Sequence, residues 1–143
     1  MRVVLDTCVW VSAVRSRRGA SFALLSEIPH GRFQFGISVP LFFQCRAKLL
    51  DACAERVTAL SQAQVEAILA ALAHYGEPVT IFFRLRPNLR DENDNMVFEC
   101  AANYGAEYIV THNVRDFSDP ELRGYAIEAV EPGRFIDILR REP

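Results

Sequence analysis

Val3-Val4-Leu5-Asp6-Thr7 stands at the start of the chain, a short apolar run that ends in two polar residues. That is the pattern of a strand buried on both faces, which delivers a polar side chain where it stops. Tyr108-Ile109-Val110, rich in β-branched residues, repeats the pattern and ends at Thr111-His112-Asn113, with Asp116 close behind. Between the two runs, strand-like and helical patterns alternate. Phe33, Phe35 and Ile37 alternate with Gln34 and Gly36 as a second strand, and Ser38 with Pro40 opens a helix to about Ala54. Val65, Ile68, Leu69 and Leu72 mark an amphipathic helix over 62–75, closed by Gly76 and Pro78. Residues 79–83 read as a third strand, and Asp91 caps a helix to about Tyr104, with Gly105 ending it. Helical stretches are also expected over 9–14 and 21–28, stopped by Pro29-His30-Gly31, with a last strand over 126–130 and a terminal helix from Pro132.

Strands alternating with helices predict a three-layer α/β/α fold with a central parallel sheet. In such sheets the functional crevice lies beyond the carboxyl ends of the strands. Asp6-Thr7 and Thr111 to Asp116 are therefore expected to share one sheet edge. The 143 residues, half of them hydrophobic, suit a single domain over 1–143 with one core. A formal charge of −2 gives no basic excess to announce a nucleic-acid binder, although a local patch can bind phosphate on a near-neutral chain. Arginines do cluster, at Arg15, Arg17 and Arg18 and again at Arg84, Arg86 and Arg90. Solvated surface charge is the plainer reading of either cluster, and contact with an RNA backbone is the functional one.

No run reaches the roughly 18 apolar residues of a membrane span, and Asp6 comes too early for a signal-peptide core. Cys8, Cys45, Cys53 and Cys100 form neither a C-x-x-C pair nor a zinc spacing, which reads as reduced thiols. A cytoplasmic protein is the expectation.

The candidate chemistry is carboxylate chemistry. Each acid has an ordinary explanation: Asp6 as a helix cap, Asp94 as the acidic partner of the Asp91 cap, Asp116 as a turn residue. Their convergence on one edge favours function. Clustered carboxylates repel one another unless a cation sits among them. Hard oxygen ligands suit Mg²⁺ or Mn²⁺, ions that activate water and neutralise charge on a phosphodiester.

These residues resemble a family. The opening strand with Asp6-Thr7, the stretch Arg90-Asp91-Glu92-Asn93-Asp94-Asn95-Met96, the stretch Thr111-His112-Asn113-Val114-Arg115-Asp116 and the closing Pro132-Gly133-Arg134-Phe135 are similar to successive motifs of the PIN-domain (PilT N-terminal) nucleases. The resemblance runs along essentially the whole chain. It implies a Mg²⁺- or Mn²⁺-dependent endoribonuclease of the VapC-like kind, the toxin of a bacterial type II toxin–antitoxin pair, with an RNA substrate and a cognate antitoxin protein as partners.

By the same resemblance Asp6, Asp94 and Asp116 are the catalytic, metal-holding acids, and Thr7, Thr111 and Asn113 support them. In two places the chain departs from the family. Gln44 stands where the family has a glutamate early in the helix after the second strand; its carbonyl can still ligate, but it brings neither charge nor base. Cys8 stands where asparagine is usual. Asp51, seven residues beyond Gln44, is two helical turns or about 10 Å away, too far to substitute. These departures leave open a second reading, a weakened PIN domain that works by binding RNA or protein. A haloacid-dehalogenase-type phosphatase would want a second aspartate at position 8, which is Cys8. The family's habit of dimerising, with Leu41, Phe42 and Phe43 near the site, makes a homodimer an expectation, though core packing is the better explanation of those three.

Overall fold

The computed structural model describes residues 1–82, 91–118 and 124–142. Phe83, Arg84, Arg86 and Arg90 lie outside the described residues, so the second arginine cluster receives no structural account. Five parallel strands form one sheet: β1 (Arg2–Leu5), β2 (Gln34–Ile37), β3 (Glu77–Pro78), β4 (Tyr108–Val110) and β5 (Glu128–Val130), in the order β3-β2-β1-β4-β5. Helices α1 (Thr7–Arg15), α2 (Ala20–Ser26), α3 (Val39–Ala54), α4 (Gln62–Tyr75), α5 (Glu92–Tyr104) and α6 (Pro132–Arg141) complete the three-layer arrangement. No described helix is long and apolar enough to cross a membrane.

The register explains why the two opening motifs meet. Val3, Val4 and Leu5 pair with Tyr108, Ile109 and Val110, and these in turn pair with Glu128, Ala129 and Val130. Val3, Val4, Val110 and Ile109 are essentially without solvent contact, as the unbroken apolar runs require. After β1 the chain moves to β2 on one side, and β4 later enters on the other. The carboxyl ends of β1 and β4 therefore flank the point where strand order reverses, which is where ligands bind in open α/β sheets.

Local chemistry sets the helix ends. The Ser38 hydroxyl accepts the Leu41 N–H, and Pro40 lies in the first turn of α3. Ser61 and Gln64 cap α4 reciprocally. Gly105 ends α5 at φ +72°, a left-handed conformation that favours glycine. Gly36 has a packing reason instead: a Cβ there would come within 2.6 Å of the Tyr104 ring and 2.7 Å of Val79. The terminal helix is locked by Phe135, which is fully buried with its ring edge-on to Phe33 at 5.4 Å and tilted on Tyr108 at 5.7 Å.

The element bounds differ from the pattern reading most tellingly in three places. The third strand is Glu77–Pro78 rather than 79–83, because its partner β2 ends at Ile37 and the next residue, Ser38, already caps α3. Val79 still donates its N–H to the Ile37 carbonyl (3.0 Å), but beyond it Phe82 bonds the Asn103 side chain instead of a strand. The last strand starts at Glu128, not 126, since β4 offers no partner before Tyr108. Pro29 does not stop the second helix; α2 ends at Ser26, and Pro29 sits inside a separate 3-10 turn, Ile28–His30, that ends at Gly31.

Candidate functional site

Asp6 prolongs the β1 ladder with its N–H on the Val110 carbonyl (3.0 Å) and occupies the N-cap position of α1. Its side chain, however, makes no cap bond. One carboxylate oxygen accepts the Thr111 hydroxyl at 2.8 Å, and the other accepts the Asn93 amide at 2.9 Å. The Thr7 hydroxyl lies 3.3 Å from Asp6 Oδ1 and 3.2 Å from Asn93 Oδ1, one proton serving both. Asp6 and Thr111 are each at most 1 % exposed. This deeply buried carboxylate is held in place by neutral donors, and among the described residues no basic side chain pairs with it.

Three elements therefore converge: β1 through Asp6, α5 through Asn93 and Asp94, and the turn after β4 through Thr111, Asn113 and Asp116. Asp91 caps α5 by accepting the Asn93 N–H at 2.9 Å, which leaves Asp94 in the first turn facing the site. Burial pushes Asp94 up to about 7, and the charges of Asp6, Asp116 and Asp91 push the same way, against a lowering hydrogen bond from Asn93. Asn113 gives its backbone N–H to the Thr111 hydroxyl (3.0 Å), and Asp116 lies in the 3-10 turn Val114–Phe117. Asp6, Thr7, Cys8, Val11, Lys48, Asp91, Asn93, Asp94, Asn113 and Asp116 line one cleft of about 270 Å³.

Cys8, the second departure from the family pattern, has a structural task. Its sulfur accepts the His112 N–H at 3.5 Å and lies 3.7 Å from the Thr111 hydroxyl, fastening α1 to the turn after β4. Burial and the Asp6 charge raise its thiol to about 11, which favours the protonated form. The same turn is tied to α2 by Ser21 and His112, 2.9 Å apart.

The first departure turns out differently. Gln44 is half-buried on α3, and Lys48, one turn further, lines the cleft in its stead. Arg15 is exposed at the other end of α1, about 13 Å from Asp6 at 1.5 Å per residue, and Arg17 and Arg18 are exposed in the turn just beyond it. Arg17 borders a second hollow, an apolar groove of about 320 Å³ between α1, α2 and α4. Of the three apolar residues linked to dimer formation, Leu41 is core, Phe42 packs on the core and Phe43 is exposed.

Asn93 and Lys48 were not anticipated as site residues. Asn93 carries a signal in retrospect: it lies between Asp91 and Asp94 in a helix's first turn, where a short amide can reach back to a neighbouring strand. Among the described residues, no three His, Cys, Asp or Glu side chains stand close enough to form a ready-made metal cage. The donors still fit a hard, well-hydrated divalent ion, which takes one or two carboxylates and keeps several waters.

The model of the PIN domain matches residues 2–115, four-fifths of the chain. The chain belongs to the PIN domain family. The matched part contains Asp6, Asn93, Asp94 and Thr111, and Asp116 falls one residue beyond it. No curated protein sequence matches this PIN domain. Solved structures similar to it include VapBC-1 from nontypeable Haemophilus influenzae, with 14% identity, a TM-score of 0.60, and coverage of 92% of this chain and 98% of that one. VapBC2 from Rickettsia felis, solved with a DNA fragment from its promoter, has 18% identity, a TM-score of 0.59, and coverage of 92% and 100%. At these identities the likeness is one of fold.

Proposed function

We propose that this PIN domain is a metal-dependent endoribonuclease and the toxin of a toxin–antitoxin pair. The observation that carries the reading is Asp6, buried at the strand-order reversal with no described basic side chain paired to it, sharing one cleft with Asp94 and Asp116. These three would hold Mg²⁺ or Mn²⁺. When bound, such an ion supplies an activated water and neutralises charge on the phosphodiester. The rest falls to the chain. Thr111, Asn93 and Thr7 fix the Asp6 carboxylate in one orientation, and Cys8 and Ser21 hold the turn that carries Thr111 and Asp116. Arg15, Arg17 and Arg18 would take backbone phosphates of the RNA beyond the cleft, adding affinity without sequence choice.

An antitoxin is the proposed protein partner. The groove between α1, α2 and α4 is the surface with the chemistry for one, being lined by Phe22, Leu25, Ile68 and Leu72 with Arg17 at its border. A second reading, a PIN domain that only binds RNA or protein, draws on Gln44 and on the lack of a preformed metal cage among the described residues.

Cleavage of a mixed pool of structured RNAs with Mn²⁺, beside an Asp6→Asn control, separates the two. Cleavage that needs the ion and disappears with Asp6→Asn is the expected result. RNA binding without cleavage at any Mn²⁺ concentration would favour the binding module.

A further inference from the structure

Fifteen of the sixteen basic residues are arginine, and Lys48 is the one lysine. It lies in the middle of α3, and its side chain borders the cleft that also contains Asp6, Asp91, Asp94 and Asp116. Among the described residues lining that cleft, Lys48 is the sole cation. It is exposed, and no described carboxylate comes within 4 Å of its ammonium. Arg46, two residues earlier, is in contrast spent on an ion pair with Glu66 of α4 at 3.5 Å. A lysine that served to neutralise the aspartates would be paired with one of them. This one stands at the border of the acidic cleft, its charge uncommitted to any described carboxylate.

We infer that Lys48 is a substrate-binding residue, whose ammonium takes a phosphate oxygen of the RNA at the mouth of the carboxylate cleft. The inference rests on the ribonuclease reading. A polyanion approaching four aspartates meets repulsion, and a cation on the opposing α3 wall offsets it where the phosphate must enter. An ammonium on a four-carbon stem suits this: it is a point charge with three rotatable donors, able to follow a phosphate as it settles. Gln44, one turn earlier, fits the same picture, because a glutamate there would place a carboxylate four residues from Lys48 on the same helix face and compete for its charge. In this chain the α3 wall therefore receives substrate, and the acids that hold the metal come from β1, α5 and the turn after β4.

The test is fluorescence anisotropy of a labelled mixed-sequence RNA oligonucleotide without divalent ions, over a salt series, for wild type, Lys48→Met and Lys48→Arg. Melting curves confirm that the exposed substitutions leave the fold intact, and Mn²⁺ affinity is measured by calorimetry. We expect Lys48→Met to bind about tenfold more weakly, with the slope of log affinity against log salt smaller by about 0.7. Lys48→Arg keeps most of the affinity, and Mn²⁺ affinity changes less than about threefold. An unchanged affinity and slope in Lys48→Met overturns the assignment. So does a tenfold or greater gain in Mn²⁺ affinity, which would make Lys48 a counter-ion of the aspartates. If wild type cleaves RNA with Mn²⁺ while Lys48→Met behaves like it, only the role of Lys48 falls. If wild type neither binds nor cleaves RNA, the ribonuclease reading falls and takes this one with it.

Discussion

Helix α1 borders two hollows of similar size, the acidic cleft of about 270 Å³ and the apolar groove of about 320 Å³. In the cleft, the polar atoms of Asp6, Thr7, Asn93 and Thr111 satisfy one another across three elements, and no described basic side chain is ion-paired with the aspartates. In the groove Arg17 is the one charged residue among the described lining, and the buried indole N–H of Trp10 has no partner among the described residues. The cleft is thus built of acids held by neutral donors, whereas the groove is apolar with one buried donor unmatched among the described residues. One helix carries both because its first residues follow the strand end, while Trp10, Ala13 and Val14 face α2 and α4.

The largest effect should come from the groove side. Trp10 is 5 % exposed and stacks edge-on against Phe35 at 5.7 Å. Trp10→Ala should cost about 3 kcal/mol in chemical denaturation, while Mn²⁺ affinity measured on the folded variant stays at the wild-type value. A parallel loss of Mn²⁺ affinity would show that the two hollows are not independent.

On the cleft side, Asp94→Asn should lower Mn²⁺-dependent cleavage by more than about a hundredfold, beyond what losing an outer partner of a metal ligand costs. The same variant should melt higher than wild type at pH 8 without metal. The sign follows from the raised carboxyl: unfolded it titrates near 3.8 and folded near 7, so in that window the native state holds the extra proton. Stability therefore falls as pH rises from about 4 to about 7, and the penalty is fully present above 7. Asn, always neutral, escapes it, and the two melting temperatures should converge near pH 4.

Gln44→Glu should raise Mn²⁺ affinity about fivefold in calorimetry if α3 can contribute a carboxylate to the ion, one more charge among oxygen donors. A loss of cleavage in that variant would mean that the uncharged amide is itself required. The smallest effect belongs to the arginines. Arg17→Ala with Arg18→Ala should weaken RNA binding a few-fold and flatten its salt dependence by about 1.4, or about 0.7 for each phosphate no longer neutralised.

The parts of the candidate site legible from sequence were those that hang on strand ends. Asp6 and Thr111 each follow a run of buried β-branched and leucine residues, and a parallel sheet brings such ends to one edge whatever the details. Asp94 was legible because a helix's first turn was marked by Asp91. The α3 wall was not legible in the same way. Leu41, Phe42, Phe43, Cys45, Leu49 and Leu50 leave little polar stripe to fix the helix's rotation, so whether Gln44 or Lys48 borders the cleft depended on packing. Nor could the third strand be bounded from its own residues, since Val79 to Phe82 are good strand formers, and the ladder stops where β2 runs out of partners. The bond from Asn93 to Asp6 joins residues 87 apart, a contact that exists only once β1 and α5 are assembled.

The central claim is that the cleft holds a divalent ion on Asp6 and Asp94. Mn²⁺ titration by calorimetry at pH 6.5, in two buffers of different ionisation enthalpy, tests it most directly. Binding by wild type with release of up to one proton, as the Asp94 carboxyl gives up its hydrogen, and no binding by Asp6→Asn is the predicted result. Mn²⁺ binding with the same heat in Asp6→Asn, or none in wild type, would contradict it.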